Sequence, residues 1–214
     1  MKRIGRAAVW VAGFTLAVAS PSIAQMGGRG GPSFRGDWRP TVGAGAIYRY
    51  EEGGQPAMTW EVACVGQEGN GYWVETRFTS GEETISKALT APAGVQRIIV
   101  KAGREPAMEL PVFAAGAQAP QTDLKETGRI IGKETITTPA GAFECDHYQV
   151  ADGGKTVDAW VSERVSPYGI VKVAGPGMTM TLQKLVTGAK SRITETPQKV
   201  EIPSMQGLMG EERR

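Results

Sequence analysis

The strongest constraint on what this chain can fold into is a two-residue hydrophobic period that recurs from about residue 44 to residue 186. Met58, Trp60, Val62 and Cys64 alternate with Thr59 and Glu61. Tyr72, Val74, Thr76 and Phe78 alternate with Trp73, Glu75 and Arg77. The same pattern returns in Val157, Ala159 and Val161, and again in Met178, Met180 and Leu182. Side chains on a strand point to opposite faces in turn, so this spacing marks half-buried antiparallel strands. Further strands are expected at Ala46–Glu51, Thr84–Leu89, Gln96–Lys101, Arg129–Thr137, Ala142–Val150 and Gly169–Val173. The connections Glu52-Gly53-Gly54, Glu68-Gly69-Asn70-Gly71, Ser80-Gly81 and Asp152-Gly153-Gly154 supply the positive φ that tight hairpins need. No segment carries a long helical period with caps at both ends. Pro106–Gln121 reads as an irregular crossing loop with at most one helical turn. The expected architecture is all-β: one strongly curved antiparallel sheet, or open half-barrel, of about ten strands with little helix.

The ends differ from this body. Lys2, Arg3 and Arg6 precede an uncharged apolar run from Ala7 to Ala19, and Ser22-Ile23-Ala24 places small residues before Gln25. That is the three-part pattern of a secretory signal peptide over residues 1–24. Residues 25–41 are Gly-rich and read as a flexible leader, residues 42–187 as the β domain, and residues 188–214 as a polar tail. Within that tail, Ile193, Val200, Ile202, Met205 and Leu208 offer a docked edge or a short helix. The expected location is periplasmic or secreted. No Cys follows the expected cleavage point, so no lipid anchor is expected there, and no segment reads as a transmembrane anchor.

The whole sequence has a formal net charge of +2 at neutral pH. Removing the three positive charges of the signal leaves −1. A near-neutral chain of this kind argues against nucleic acid and against an anionic membrane surface as partners.

The residues that carry chemistry are few. His147 is the single histidine, and strand alternation puts it on one face with Cys145. Neighbours two apart on a strand project in parallel, so a direct Cys–His hydrogen bond is awkward. No G-x-S-x-G motif supplies another nucleophile, so no catalytic residue is assigned. There is no C-x-x-C, H-E-x-x-H or acidic calcium loop, and no phosphate-binding glycine loop. Met178, Met180, Cys145 and His147 are soft donors suited to Cu(I), but a methionine pair at this spacing is also a core face. No metal and no cofactor is expected. Cys64 and Cys145 are a disulfide candidate in an oxidising compartment, or else two small buried hydrophobes that never meet.

One stretch is more specific. Thr138-Pro139-Ala140-Gly141-Ala142-Phe143 is followed by a strand ending in Trp160-Val161-Ser162 and then by Pro167-Tyr168-Gly169-Ile170-Val171-Lys172. This order resembles uncharacterised exported bacterial proteins related to the periplasmic lipoprotein-carrier (LolA-like) half-barrel superfamily. The resemblance covers roughly residues 128–185 and, weakly, residues 42–101. It implies a curved sheet whose concave apolar face accepts acyl chains.

The leading expectation is therefore an exported, non-enzymatic binding protein. Its concave face would take a lipid, a lipoprotein or a hydrophobic peptide, lined by Trp60, Trp73, Phe78, Met178 and Met180. The alternative is a structural or assembly protein of the cell envelope with no small-molecule ligand, and a periplasmic hydrolase ranks third. Geometry separates them. A binder shows an apolar cavity of several hundred Å³, an assembly protein a long unpaired edge strand or apolar patch, and an enzyme paired polar groups in a cleft.

Overall fold

The computed structural model describes residues 34–80, 82–112, 122–152 and 154–200. After a two-residue stub, β1 (Phe34–Arg35), a first meander runs through β2 (Gly45–Glu52), β3 (Met58–Glu68), β4 (Gly71–Ser80), β5 (Glu82–Ala91) and β6 (Gly94–Ala102). It ends in the short β7 (Met108–Leu110). β8 (Thr122–Asp123) pairs in parallel with β1 and leads into a single helical turn, α1 (Leu124–Thr127), capped by the Asp123 carboxylate. A second meander follows: β9 (Arg129–Thr138), β10 (Gly141–Asp152), β11 (Lys155–Val161), β12 (Ile170–Gly175) and β13 (Met178–Val186). β14 (Gln198–Lys199) lies parallel to β7.

All ten expected strands are present; most ends agree within two residues, while β3 and β13 each run about four residues further than expected. The two meanders join where β13 pairs antiparallel with β2, from Met178 opposite Glu52 to Val186 opposite Gly45. The result is one open sheet of twelve strands in the order β14-β7-β6-β5-β4-β3-β2-β13-β12-β11-β10-β9. Expected as about ten strands, the sheet gains β7 and β14 at one edge. The bend is tight at the other end. β9 and β13 are four positions apart, roughly 19 Å in a flat sheet, yet their Cα atoms approach within 8 Å.

Inside that roll sits the main core. Tyr48, Trp60, Phe143, Tyr148, Ile170, Val173, Met180 and Leu182 are buried in one cluster. The Tyr48 hydroxyl donates to the Ile170 carbonyl at 2.8 Å, which satisfies its polar atom across the bend. The open end of the roll is covered by the segment just before β2. The amides of Gly36 and Asp37 donate to the Tyr168 carbonyl, the Arg39 amide donates to Pro167, and Trp38 packs on Tyr168 at 5.5 Å between ring centres. Residues 34–41, expected as part of a flexible leader, are thus held to the body. Gly36 explains the closeness: a Cβ there would stand 2.8 Å from the Tyr168 carbonyl oxygen.

The other half of the sheet, β4 to β7, is covered on its outer face. Val74 joins the main core, so its neighbour Trp73 points the opposite way. Trp73 packs with Ile85, Leu89, Ile99, Ala107 and Ile193. Ile193 belongs to a strap of residues 187–199 that crosses this face. The strap is anchored by Glu75, a carboxylate only 6% exposed. Glu75 accepts from the Ser191 hydroxyl at 2.7 Å and from the Arg192 amide at 3.0 Å. Lys101 pairs with Glu195, and the Gln198 amide donates to the Ala107 carbonyl. The first part of the expected tail is therefore a docked edge. Ile202, Met205, Leu208 and the expected signal peptide lie outside the described residues.

Candidate functional site

Four of the five side chains expected to line a concave binding face are part of the filled core. Trp60 and Met180 are buried in the main cluster, and Phe78 and Met178 are partly buried against it. Trp60 stacks on Phe78 at 6.1 Å and tilts against Tyr48 at 5.1 Å. Trp73 is placed on the opposite face, where its indole N–H donates to Glu68 at 3.0 Å and Lys87 and Arg97 sit over its ring. The single alternation step between Trp73 and Val74 separates it from the other four. The indole nitrogen of Trp60 is buried without a hydrogen-bond partner.

The disulfide expectation is also corrected. Cys64 and Cys145 are both free and buried. Cys64 is on β3 and Cys145 on β10, with β2, β13, β12 and β11 between them. The Cys64 thiol points toward the Gly66 carbonyl and the Cys145 thiol toward the Phe143 carbonyl. Burial pushes the Cys145 thiol up to about 11, away from a reactive thiolate.

His147 does not pair with Cys145. Its Nδ1 lies 2.6 Å from a Glu134 oxygen on β9 and its Nε2 lies 2.9 Å from Asp158 on β11. The ring stacks on Trp160 at 4.7 Å, and Lys172 covers the same indole. Both ring nitrogens are occupied by carboxylates, so neither faces a substrate; the group ties β9 to β11 across β10.

The remaining feature is β9 itself. It is the terminal strand of the sheet, ten residues long, and among the described residues no strand pairs with its outer side. Its sequence explains how it survives there. Ile131 is an extra residue in the β9–β10 ladder, a bulge between the Gly132–His147 and Ile130–Tyr148 pairs. The bulge leaves two neighbouring isoleucines in solvent, Ile130 at 62% and Ile131 at 45% exposure. Beyond them β9 becomes polar through Lys133, Glu134 and Thr135, and then returns to the core at Ile136 and Thr138. The switch is mirrored on β10, whose buried residues run Phe143, Cys145 and then Tyr148, Val150.

A cavity of about 480 Å³ opens beside this edge. Its walls are Lys133 to Thr135 of β9, Glu144 to Asp146 of β10, Val161 at the end of β11 and Ser162 to Arg164 after it. Its rim is charged rather than apolar. Lys133 pairs with Asp146 at 2.9 Å, Arg39 reaches Glu163 at 2.7 Å, and Arg164 lies over the Phe143 ring. A second cavity, of about 270 Å³, lies under the strap between Glu61, Glu75, Arg77 and Arg192. Among the described residues there is no group of three or more side chains arranged to hold a metal ion, and no helix is long and apolar enough to cross a membrane. Nothing in the sequence marked β9 as the site. The signal that was available is Ile130-Ile131-Gly132, where two adjacent apolar residues break the alternation.

No protein-family model matches the chain, and no curated protein matches it significantly. Solved structures similar to it include MucB in complex with MucA(peri), at 13% identity and a TM-score of 0.44, covering 74% of this chain and 56% of that one. The MucA/MucB complex of Pseudomonas aeruginosa gives 13% identity and a TM-score of 0.42, covering 69% and 52%. A protein with a YmcC-like fold from Bacteroides fragilis gives 12% and 0.34, covering 71% and 98%. The aligned region is thus only about half the length of the MucB chains.

Proposed function

We propose that this is an exported protein-binding component of the cell envelope that receives an extended segment of another polypeptide along β9. The observation that carries the reading is the outer edge of β9, unpaired among the described residues, with Ile130 and Ile131 exposed. An edge strand offers a row of free amides and carbonyls that a second strand can complete, and exposed apolar neighbours add burial to that pairing. The concave-face lipid reading has less support. Trp60 and Met180, its expected lining, are core, and the larger described cavity is rimmed by charges. The export half of the proposal rests on the signal pattern of residues 1–24.

Site-specific photo-crosslinking in the exporting cell tests it. A crosslinker at position 131 should give a discrete protein adduct, and one at position 172, on the far side of β11, should not. With the crosslinker kept at position 131, the substitution I130K should sharply reduce the adduct without lowering the melting temperature. Native mass spectrometry showing a bound lipid, together with equal crosslinking at both positions, would overturn the reading.

A further inference from the structure

The single histidine of the chain sits beside the bulge of the edge strand, with an acceptor on each side of its ring. Nδ1 of His147 lies 2.6 Å from Glu134 on β9, and Nε2 lies 2.9 Å from Asp158 on β11. An ionised carboxylate only accepts hydrogen bonds, and a neutral imidazole carries one N–H and one lone pair. Both contacts are therefore hydrogen bonds only when the ring is protonated. In the neutral ring one nitrogen turns a lone pair toward a carboxylate, and that contact opens. The His147 side chain is only 15% exposed, so water is a poor substitute for the lost partner. Nor do the other charges around the ring replace it. Lys133 of β9 is committed to Asp146 of β10, and Lys172 of β12 lies over the Trp160 indole on which the imidazole stacks. Gln149, which accepts from Arg129, donates to Asp158 at 3.4 Å, while Glu134 has no other hydrogen-bond donor among the described residues. The place of this bridge matters too. His147 stands opposite Gly132, next to the extra residue Ile131, where the β9–β10 ladder is interrupted and β9 offers no side chain to pack on it.

Resting on the edge-strand reading above, we propose that His147 is a proton-operated fastener of the receiving strand. Protonated, it ties β9 to β11 across β10 at the weak step of the ladder. Neutral, it lets go of one end of that tie, and β9 loosens. The fastening is present while the ring is protonated and is lost as pH rises through the titration of the ring. On the acid side β9 is thus the firmer template for an added strand. Histidine is the one side chain that ordinarily changes charge between about pH 5 and pH 8, and the chain has a single copy of it, so no second side chain of that kind competes.

Two measurements on the purified protein test this together. Nitrogen NMR follows the ring protons of the one imidazole, and hydrogen exchange, corrected for the intrinsic effect of pH, follows residues 129–138. Over the pH range in which the ring passes from two protons to one, protection of β9 should fall severalfold, the size expected for one lost hydrogen bond. Protection of β12 and β13 should stay level. In H147Q, whose amide donates but does not titrate, β9 should exchange at the neutral-ring rate at every pH in that range. A β9 whose protection ignores the titration of the ring, or changes as much in H147Q, overturns the fastener. A crosslinked adduct at position 131 then still leaves the edge reading standing. A β9 that follows the ring but gives no adduct at position 131 at any pH overturns the edge reading and leaves the fastener in place.

Discussion

The two halves of the sheet solve the same problem in opposite ways. From β2 and β3 through β13 to β9 the sheet rolls onto itself, and its inner face buries Tyr48, Trp60, Val173 and Met180, with Leu124 of α1 and the Trp38 segment closing the end of the roll. From β4 to β7 the buried side chains of the second cluster lie on the outer face and depend on a piece of tail, Ile193 and its neighbours, for cover. Curvature is a property of many strands at once, whereas a strap is a single chain segment held by a handful of bonds. The rolled half should therefore unfold only with the whole molecule, and the strapped half should loosen on its own.

The sharpest way to break that contrast is a charge in each core. V173D buries an unpaired carboxylate in the roll, a penalty of several kcal/mol against a total stability of about 5–15 kcal/mol. Circular dichroism should show no cooperative unfolding transition. I193D puts the same charge under the strap, where the segment can lift away. The protein should keep its transition while exchange in β5 and β6 rises. An I193D protein as unfolded as V173D would show that the halves are one cooperative unit.

Next comes the anchor. E75A leaves the Arg192 amide without its acceptor and the Ser191 hydroxyl with only the Ile193 carbonyl, a loss of about 1–3 kcal/mol. It should free residues 187–199 to proteolysis while β9 to β13 stay protected. Cleavage at equal rates in both halves would remove the strap from the explanation.

Acid should act in the same direction. Its hydrogen bond to Arg97 holds the Glu109 carboxyl below the usual carboxylate range, and Lys101 does the same for Glu195. Because the folded value is depressed, the contribution is present above the unfolded value of about 4.3 and is lost as pH falls through the folded one. Exchange in β6 and β7 should therefore rise as pH falls below about 4.3. In the roll, Asp37 is also held low: burial raises it, and Lys125 and Arg39 outweigh that. The end cover made by Trp38 should loosen in the same range, and the buried aromatic cluster beneath it should not.

The smallest effects belong to the polar groups that sequence reading reaches for first. H147Q keeps one amide donor toward Glu134 or Asp158 and loses the second bond, at a cost of about 1 kcal/mol in melting experiments. A loss of partner binding with an unchanged melting temperature would instead make His147 functional. Alkylation in denaturant without reductant should label two thiols per chain, and native protein should label slowly at both.

The strands were legible because alternation and glycine turns are local signals, each readable within a dozen residues. Their partners were not. Nothing in Met178–Leu182 says that it pairs with β2 rather than closing back on β9, since alternation names a face and not a partner. The strap was hidden by its own chemistry. It crosses a face bearing Glu75, Arg77 and Lys101, so its sequence is polar and only Ile193 reads as core. That Trp60 and Met180 share the inward face was legible from strand alternation, although that face is filled rather than open to a ligand, and Trp73 was misplaced because an aromatic was weighed above its parity. The fold motif Pro167-Tyr168-Gly169 was visible for a reason now plain. Gly169 has φ of +75°, and a Cβ there would meet Val161 at 2.9 Å.

The seam between β2 and β13 has a consequence in time as well as in space. Its paired residues lie 126 (Glu52 to Met178) to 141 (Gly45 to Val186) positions apart along the chain. Each meander assembles from neighbours, but the seam closes one very long loop, and such contacts are slow because their entropy is spent before they are rewarded. If the chain is exported as proposed, emerging from its N-terminus, it cannot close this seam until β13 has followed β2 across. Until that moment β2 and β13 each present an open edge to whatever else is nearby. The interval between the arrival of β2 and that of β13 is therefore the period in which this sheet is most exposed to pairing with the wrong chain.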